Sequence, residues 1–150
     1  MNIVGAIVAG VVATIVMSMI LVMAPKMGMP KMDIVGLLGT MFNKDGNTML
    51  GWGMHLMNGA IFAVIYALLW NAGIGSASLV NGAIFGGAHW LIAGMVMGMV
   101  PMLHAGIKAG TVQAPGLYTM KGGGLLAFMG GLLGHVIYGV VVAFVYGLFR

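Results

Sequence analysis

Apolar residues fall into four long runs, at approximately 3–24, 50–70, 79–100 and 124–149, and the polar residues gather between them. None of the runs alternates apolar with polar in the period-2 manner of a barrel strand. Each reaches roughly 20 residues, enough for a helix to cross a hydrocarbon core of about 30 Å. Backbone N–H and C=O groups find no partners in lipid, so a spanning segment must pair them internally, and runs of this length predict helices. The expected fold class is all-α: an integral membrane four-helix bundle forming a single transmembrane domain over residues 1–150.

The connections differ in kind. Residues 25–49 form a long first loop with Lys26, Lys31, Asp33, Lys44 and Asp45, and a short helix is expected near residues 32–42. Both aspartates read as helix caps; Asp33 precedes Ile34-Val35-Gly36, whose free amides its carboxylate can accept from. Residues 71–78 form a tight uncharged turn. Residues 101–121 form a second long loop with His104, Lys108 and Lys121. Four spans put both long loops on one side and both termini on the other. The loop side carries the lysines and the other side Arg150, so the positive-inside rule places the long loops in the cytoplasm of a prokaryotic inner membrane. The first run lacks a basic leader and exceeds the usual apolar region of a signal peptide, which predicts a retained span.

Composition sharpens this picture. Apolar residues make up 61% of the chain and charged residues 5%, with only two carboxylates. A soluble domain is about one quarter charged, so this chain cannot clothe a water-facing surface. The formal charge of +4 comes from scattered lysines, which suits anionic lipid head groups. It offers no clustered basic face, and no nucleic-acid partner is expected. With no cysteine, disulfides and thiolate metal sites are excluded.

The glycines recur every fourth residue and so share helix faces. The fourth run gives Gly123, Ala127, Gly131, His135, Gly139, Ala143 and Gly147; the second gives Gly51, His55, Gly59, Ala63 and Ala67. The first gives Gly5, Ala9 and Ala13, and the third gives Gly82 and Gly86, then Gly94 and Gly98 around Trp90. Membrane helices associate by close backbone approach at small residues. Gly51, Gly59, Gly82, Gly86, Gly94, Gly98, Gly131, Gly139 and Gly147 are therefore the expected helix-packing positions.

Four histidines carry the chemical signal. Counting 1.5 Å per residue, His89 and His135 lie near mid-span in runs three and four, and His55 lies about two turns from the long-loop end. His104 follows Pro101 on that same side. Ionisable groups within a span default to a functional reading. The plainest expectation is that each hydrogen-bonds across the bundle, to Asn58, Asn81, Tyr138 or a carbonyl. Ligation of a metal or of haem is the next reading, through His89 with His135 or His55 with His104; a proton relay or solute path is the third. Methionines cluster at Met23, Met27, Met29 and Met32 and again at Met95, Met97, Met99 and Met102. Thioethers favour copper(I), yet methionine also fills irregular gaps, and packing is preferred. No nucleophile–base–acid set is present. Gly122-Gly123-Gly124 has neither the preceding strand nor the Walker pattern of a phosphate loop. No catalytic residue and no obligate cofactor is expected, with copper or haem as the alternative.

Short motifs carry a resemblance. Ala9-Gly10 to Met17-Ser18-Met19, the loop Met27-Gly28-Met29-Pro30 with Asp33, Gly51-Trp52-Gly53-Met54-His55, Met99-Val100-Pro101-Met102, and Gly134-His135-Val136-Ile137-Tyr138-Gly139 with Tyr146-Gly147 make the chain similar to a YagU-like group of small bacterial four-span proteins of unknown function. The resemblance implies a four-helix membrane protein without an assigned reaction, and gives weight to His55 and His135.

Three functions remain open. The preferred one is a non-catalytic accessory subunit, packed in the lipid bilayer against larger membrane subunits such as a respiratory or copper-dependent oxidase, with a homo-oligomer as another arrangement. The second is a metal- or haem-binding membrane protein using His89, His135, His55 and His104. The third is a small transporter or channel.

Overall fold

The computed structural model describes residues 1–150, and every regular element is helical. Four helices are long and apolar enough to cross a membrane: α1 (Ile3–Met23), α3 (Thr48–Asn71), α4 (Leu79–Met99) and α6 (Gly124–Gly147). Two short helices sit in the long connections, α2 (Ile34–Gly39) and α5 (Ala105–Lys108).

Local sequence sets most of the ends. Asn2 Oδ1 accepts from Gly5 N at 2.8 Å to open α1, Asn47 accepts from Leu50 N at 3.0 Å to open α3, and Ser78 opens α4 in the same way. Such caps satisfy first-turn amides that have no intrahelical partner. Asp33 Oδ1 caps α2 through Gly36 N at 2.8 Å. Asp45 is no cap; its own N–H donates to Asn43 Oδ1, and Asn47 takes the capping role two residues later. Pro25 and Pro101 convert the ends of α1 and α4 into single 3₁₀ turns, because proline cannot donate to the next helical carbonyl.

Around the bundle the order is α3–α1–α6–α4. α1 packs against both α3 and α6, and α6 packs against α4. α3 and α4 are joined by the short turn at 72–78, yet they meet through side chains rather than backbone. The contrast follows from where the glycines fall. At the α4–α6 crossing a Cβ on Gly82 or Gly139 would strike the other residue's carbonyl, and one on Gly86 would strike the His135 carbonyl. At the α1–α3 crossing Gly10 faces the Gly59 carbonyl, and Gly59 faces the Thr14 hydroxyl. α3 and α4 instead oppose Phe62, Tyr66 and Trp70 to Phe85 and His89, and these rings hold the backbones apart.

The other expected packing glycines serve different neighbours. Gly51 receives the Val35 carbonyl of α2, and Gly131 receives the Trp90 indole. Gly94 and Gly98 accommodate no helix; the Tyr118 ring and Leu117 lie over them. Gly147 faces open space and packs against nothing, which corrects its place among the packing positions.

The buried core joins Ala6, Ala9, Ala13 and Met17 of α1 to Ala63, Tyr66, Ala67 and Trp70 of α3 and Tyr138, Val142, Ala143 and Tyr146 of α6. The outer faces are apolar too, with Val4, Val22, Val80, Ile84, Leu125 and Phe144 exposed. Both long loops meet at one end of the bundle, where Ala105 N donates to Met41 O at 2.9 Å and Gly106 N to Thr40 O at 3.0 Å. The termini meet at the other, where Asn2 Nδ2 donates to Phe149 O at 3.1 Å.

Candidate functional site

A cavity of about 520 Å³ lies between the helices, running toward the long-loop end. Its wall draws on Met17 of α1, Asn58 and Phe62 of α3, Trp90 and Ala93 of α4, and Tyr138 of α6. Residues 30–34 and 112–115 lie over the loop end. Three of the four histidines, His55, His89 and His135, reach this wall. The fourth does not.

His104 sits wholly buried between the two long loops. Its Nδ1 accepts from Ile107 N at 3.1 Å, capping α5, so its Nε2–H donates to Leu37 O at 2.7 Å. Both ring nitrogens are spent on main chain, and no lone pair remains for a metal. The expected His55–His104 pair does not form. Nor do the second-cluster methionines gather round His104: Met95, Met99 and Met102 are exposed, and Met97 turns to the cavity.

The three cavity histidines have their tautomers set by neighbours that can act in only one sense. A neutral imidazole has one N–H and one lone pair. His135 Nδ1 lies 2.8 Å from the Gly131 carbonyl, which can only accept, so Nδ1 carries the proton and Nε2 is bare. Tyr66 donates its O–H to Phe85 O at 3.0 Å and lies 3.2 Å from His89 Nδ1. Both contacts are hydrogen bonds only if His89 Nδ1–H donates to the tyrosine oxygen, which again leaves Nε2 bare. Ser18 donates to Thr14 O at 2.7 Å and lies 3.1 Å from His55 Nε2. The same reasoning protonates Nε2 of His55 and leaves its Nδ1 bare. Each ring thus keeps one unspent acceptor. The expected partners Asn81 and Asn58 play no part: Asn81 turns back to Ser76 and Ser78, and Tyr138 reaches the Gly59 carbonyl rather than a histidine.

His89 and His135 touch edge to face, ring centroids 4.8 Å apart at 89°. Phe62 stacks on the other side of His89 at 3.7 Å, and Trp90 lies 5.0 Å from His135. Two rings in contact leave no room for a porphyrin between them, so the pair does not fit a haem clasped from both faces. They supply two nitrogen donors, where a closed zinc site takes four ligands, and no set of three His, Cys, Asp or Glu side chains gathers for a metal.

The cavity is not sealed on the α3–α4 side. Asn58, Ile92 and Val96 line it and are also exposed on the outside of the bundle, where the two helix backbones stand apart. Across the loop end, Tyr118 and Thr119 hold left-handed backbone at φ 51° and 57°. That conformation costs an L-residue roughly 1–2 kcal/mol, and it sets the Tyr118 ring against Trp90 and Phe128.

Sequence reasoning singled out all three cavity histidines. It passed over Ser18, Tyr66 and Phe62, which set their tautomers and positions. Thr14 and Ser18, hydroxyls four apart in an otherwise apolar run, were the legible signal for the first; nothing in the sequence signals the pairing of Tyr66 with His89.

No curated protein and no solved structure matches the chain. A family model matches residues 1–150 throughout, and nothing links that family to the YagU-like group. The chain belongs to DUF6789, a family of unknown function.

Proposed function

We propose that the bundle is inserted in a lipid bilayer, with its long loops on the cytoplasmic side, and that it binds a small lipid-soluble molecule in the cavity between its helices. The observation that carries this is the cavity wall: about 520 Å³ of mainly apolar space onto which three histidines, each with one unspent ring nitrogen, converge from two helices besides α4. That volume is in the range of small-molecule sites, as is an apolar lining with a few placed polar groups. In a bilayer the exposed faces of α1, α3, α4 and α6 meet acyl chains, and the α3–α4 gap becomes a side door. Asn58 stands at this door without a hydrogen-bond partner in the protein, and lipid tails offer it none. The role proposed is binding: the hydroxyls of Thr14, Thr119 and Tyr138 on the wall donate to main-chain carbonyls, and its one carboxylate, Asp33, caps α2.

The test is a titration of the protein in lipid nanodiscs with lipophilic six-membered-ring compounds bearing different polar groups, followed by native mass spectrometry and tryptophan emission. Saturable one-to-one binding of at least one compound is expected, weakened about tenfold or more by Ala93→Phe, which fills the cavity. Linear partitioning, identical in both proteins, would sink the proposal. Stoichiometric copper or iron in the same preparation would replace it with the metal-binding reading. The accessory-subunit reading draws on Gly53, Gly87 and Gly147, which have open space around them on the outer faces; it predicts larger chains that co-purify in mild detergent and a protein that loses its fold without them.

A further inference from the structure

The three histidines on the cavity wall are one-sided in their hydrogen bonding. His135 Nε2, His89 Nε2 and His55 Nδ1 are acceptors, and no neutral ring can turn its acceptor into a donor by shifting its proton without breaking the bond on its other side. The locks stand behind the rings: the Gly131 carbonyl for His135, Tyr66 held to the Phe85 carbonyl for His89, and Ser18 held to the Thr14 carbonyl for His55. Tyr138, which could have supplied an O–H, has given it to the Gly59 carbonyl. Among the uncharged groups of the helices that line the cavity, the amide of Asn58 at the mouth keeps a free donor, and so does the Trp90 indole N–H, which is buried without a partner. The walls around the acceptors are flat and aromatic, with Phe62 against His89 and Trp90 against His135.

Resting on the cavity reading above, we propose that the ligand is a lipid-borne phenol or hydroquinone, a flat ring whose hydroxyl protons are donated to the His89 and His135 Nε2 atoms, and that the protein selects it against the corresponding quinone or ether. A ring hydroxyl supplies what the acceptors lack. A quinone carbonyl or a methyl ether oxygen brings lone pairs to face lone pairs, and leaves acceptor and ligand both unpaired where water is scarce, which is costly. The aromatic walls favour a ring in offset or edge-to-face contact. The ligand arrives through the α3–α4 gap, polar end first past Asn58, with any alkyl tail left among the acyl chains beside Ile92 and Val96. The step is binding alone; no electron or group is transferred.

The experiment uses the full chain in nanodiscs under argon and four probes on one alkylated benzene ring: the hydroquinone, the monophenol, the hydroquinone dimethyl ether and the quinone. The hydroquinone and the monophenol are expected to bind at least about tenfold more tightly than the ether and the quinone. Tyr66→Phe supplies the decisive variant. Tyr66 does not line the cavity, and without its hydroxyl the His89 imidazole is free to shift its proton to Nε2. Quinone binding should then strengthen at least about threefold relative to hydroquinone. In the unaltered protein, ¹⁵N spectra of labelled histidine should show Nδ1–H for two of the cavity rings and Nε2–H for the third, a readout independent of any ligand. Equal affinities for all four probes, or tighter binding of the quinone, would overturn the hydroxyl selectivity while leaving the cavity reading intact. The absence of saturable binding by every probe would overturn both.

Discussion

His104 and His135 show how one residue type in one chain comes to opposite ends. His104 spends both ring nitrogens on main chain, bonding Ile107 N and Leu37 O, and so ties the second long loop to α2. It is a structural residue. His104→Ala is expected to lower stability by about 2–4 kcal/mol, since it strands a buried carbonyl and an amide together; thermal or denaturant unfolding in detergent would read this, with cavity binding kept in whatever fraction stays folded. A loss of stability under about 0.5 kcal/mol would contradict the structural assignment. His135 has its Nδ1 pinned by a carbonyl of its own helix one turn earlier, so position 131 presents a carbonyl as well as the space for Trp90. The sequence offered both histidines as candidate ligands, because the difference rests on which main-chain groups lie close to each ring, and spacing along the chain does not report that.

At the scale of the element, the small-residue stripes divide by what faces them. Gly139 meets the Gly82 carbonyl, so a side chain there must push α4 and α6 apart. Gly139→Leu is expected to destabilise the bundle by at least about 2 kcal/mol, as overpacking of a tight core does. Gly147→Ala, on the same stripe two turns on, should fall within about 0.5 kcal/mol of the unaltered protein, because nothing stands near it. Unfolding of the two variants under identical conditions checks the contrast; equal effects would mean that the crossing is not where these positions place it. The four-residue period was legible in the sequence and marked a glycine face on each helix. It could not name their partners. Gly94 and Gly98 belong to the same pattern, yet they receive Tyr118 and Leu117 from a loop, a contact that periodicity along one helix does not encode.

For the whole molecule, both long loops occupy one end and both termini the other. The absence of cysteine makes the proposed orientation simple to check. Single replacements Lys108→Cys and Arg150→Cys can be labelled with a membrane-impermeant maleimide in intact cells. Arg150→Cys is expected to label from outside and Lys108→Cys only after permeabilisation, as the lysine distribution requires under the positive-inside rule. The reverse pattern would invert the orientation while leaving the bundle as it is, and labelling of both from outside would contradict the four-span insertion.

Four apolar runs, the placing of both long loops at one end of the bundle and the main helix caps were all decided by the sequence itself. These depend on local facts: the length of an apolar segment, a proline at its end, an Asn, Asp or Ser one residue before it. The tertiary structure alone decided that α3 and α4 stand apart on aromatic side chains while α4 and α6 close on glycine. It alone put His55, His89 and His135 on one cavity and His104 outside it. The physical reason is rotation about the helix axes. Depth along a span follows from counting residues, but the direction in which a ring points is set by which neighbouring backbone comes close enough to accept its proton.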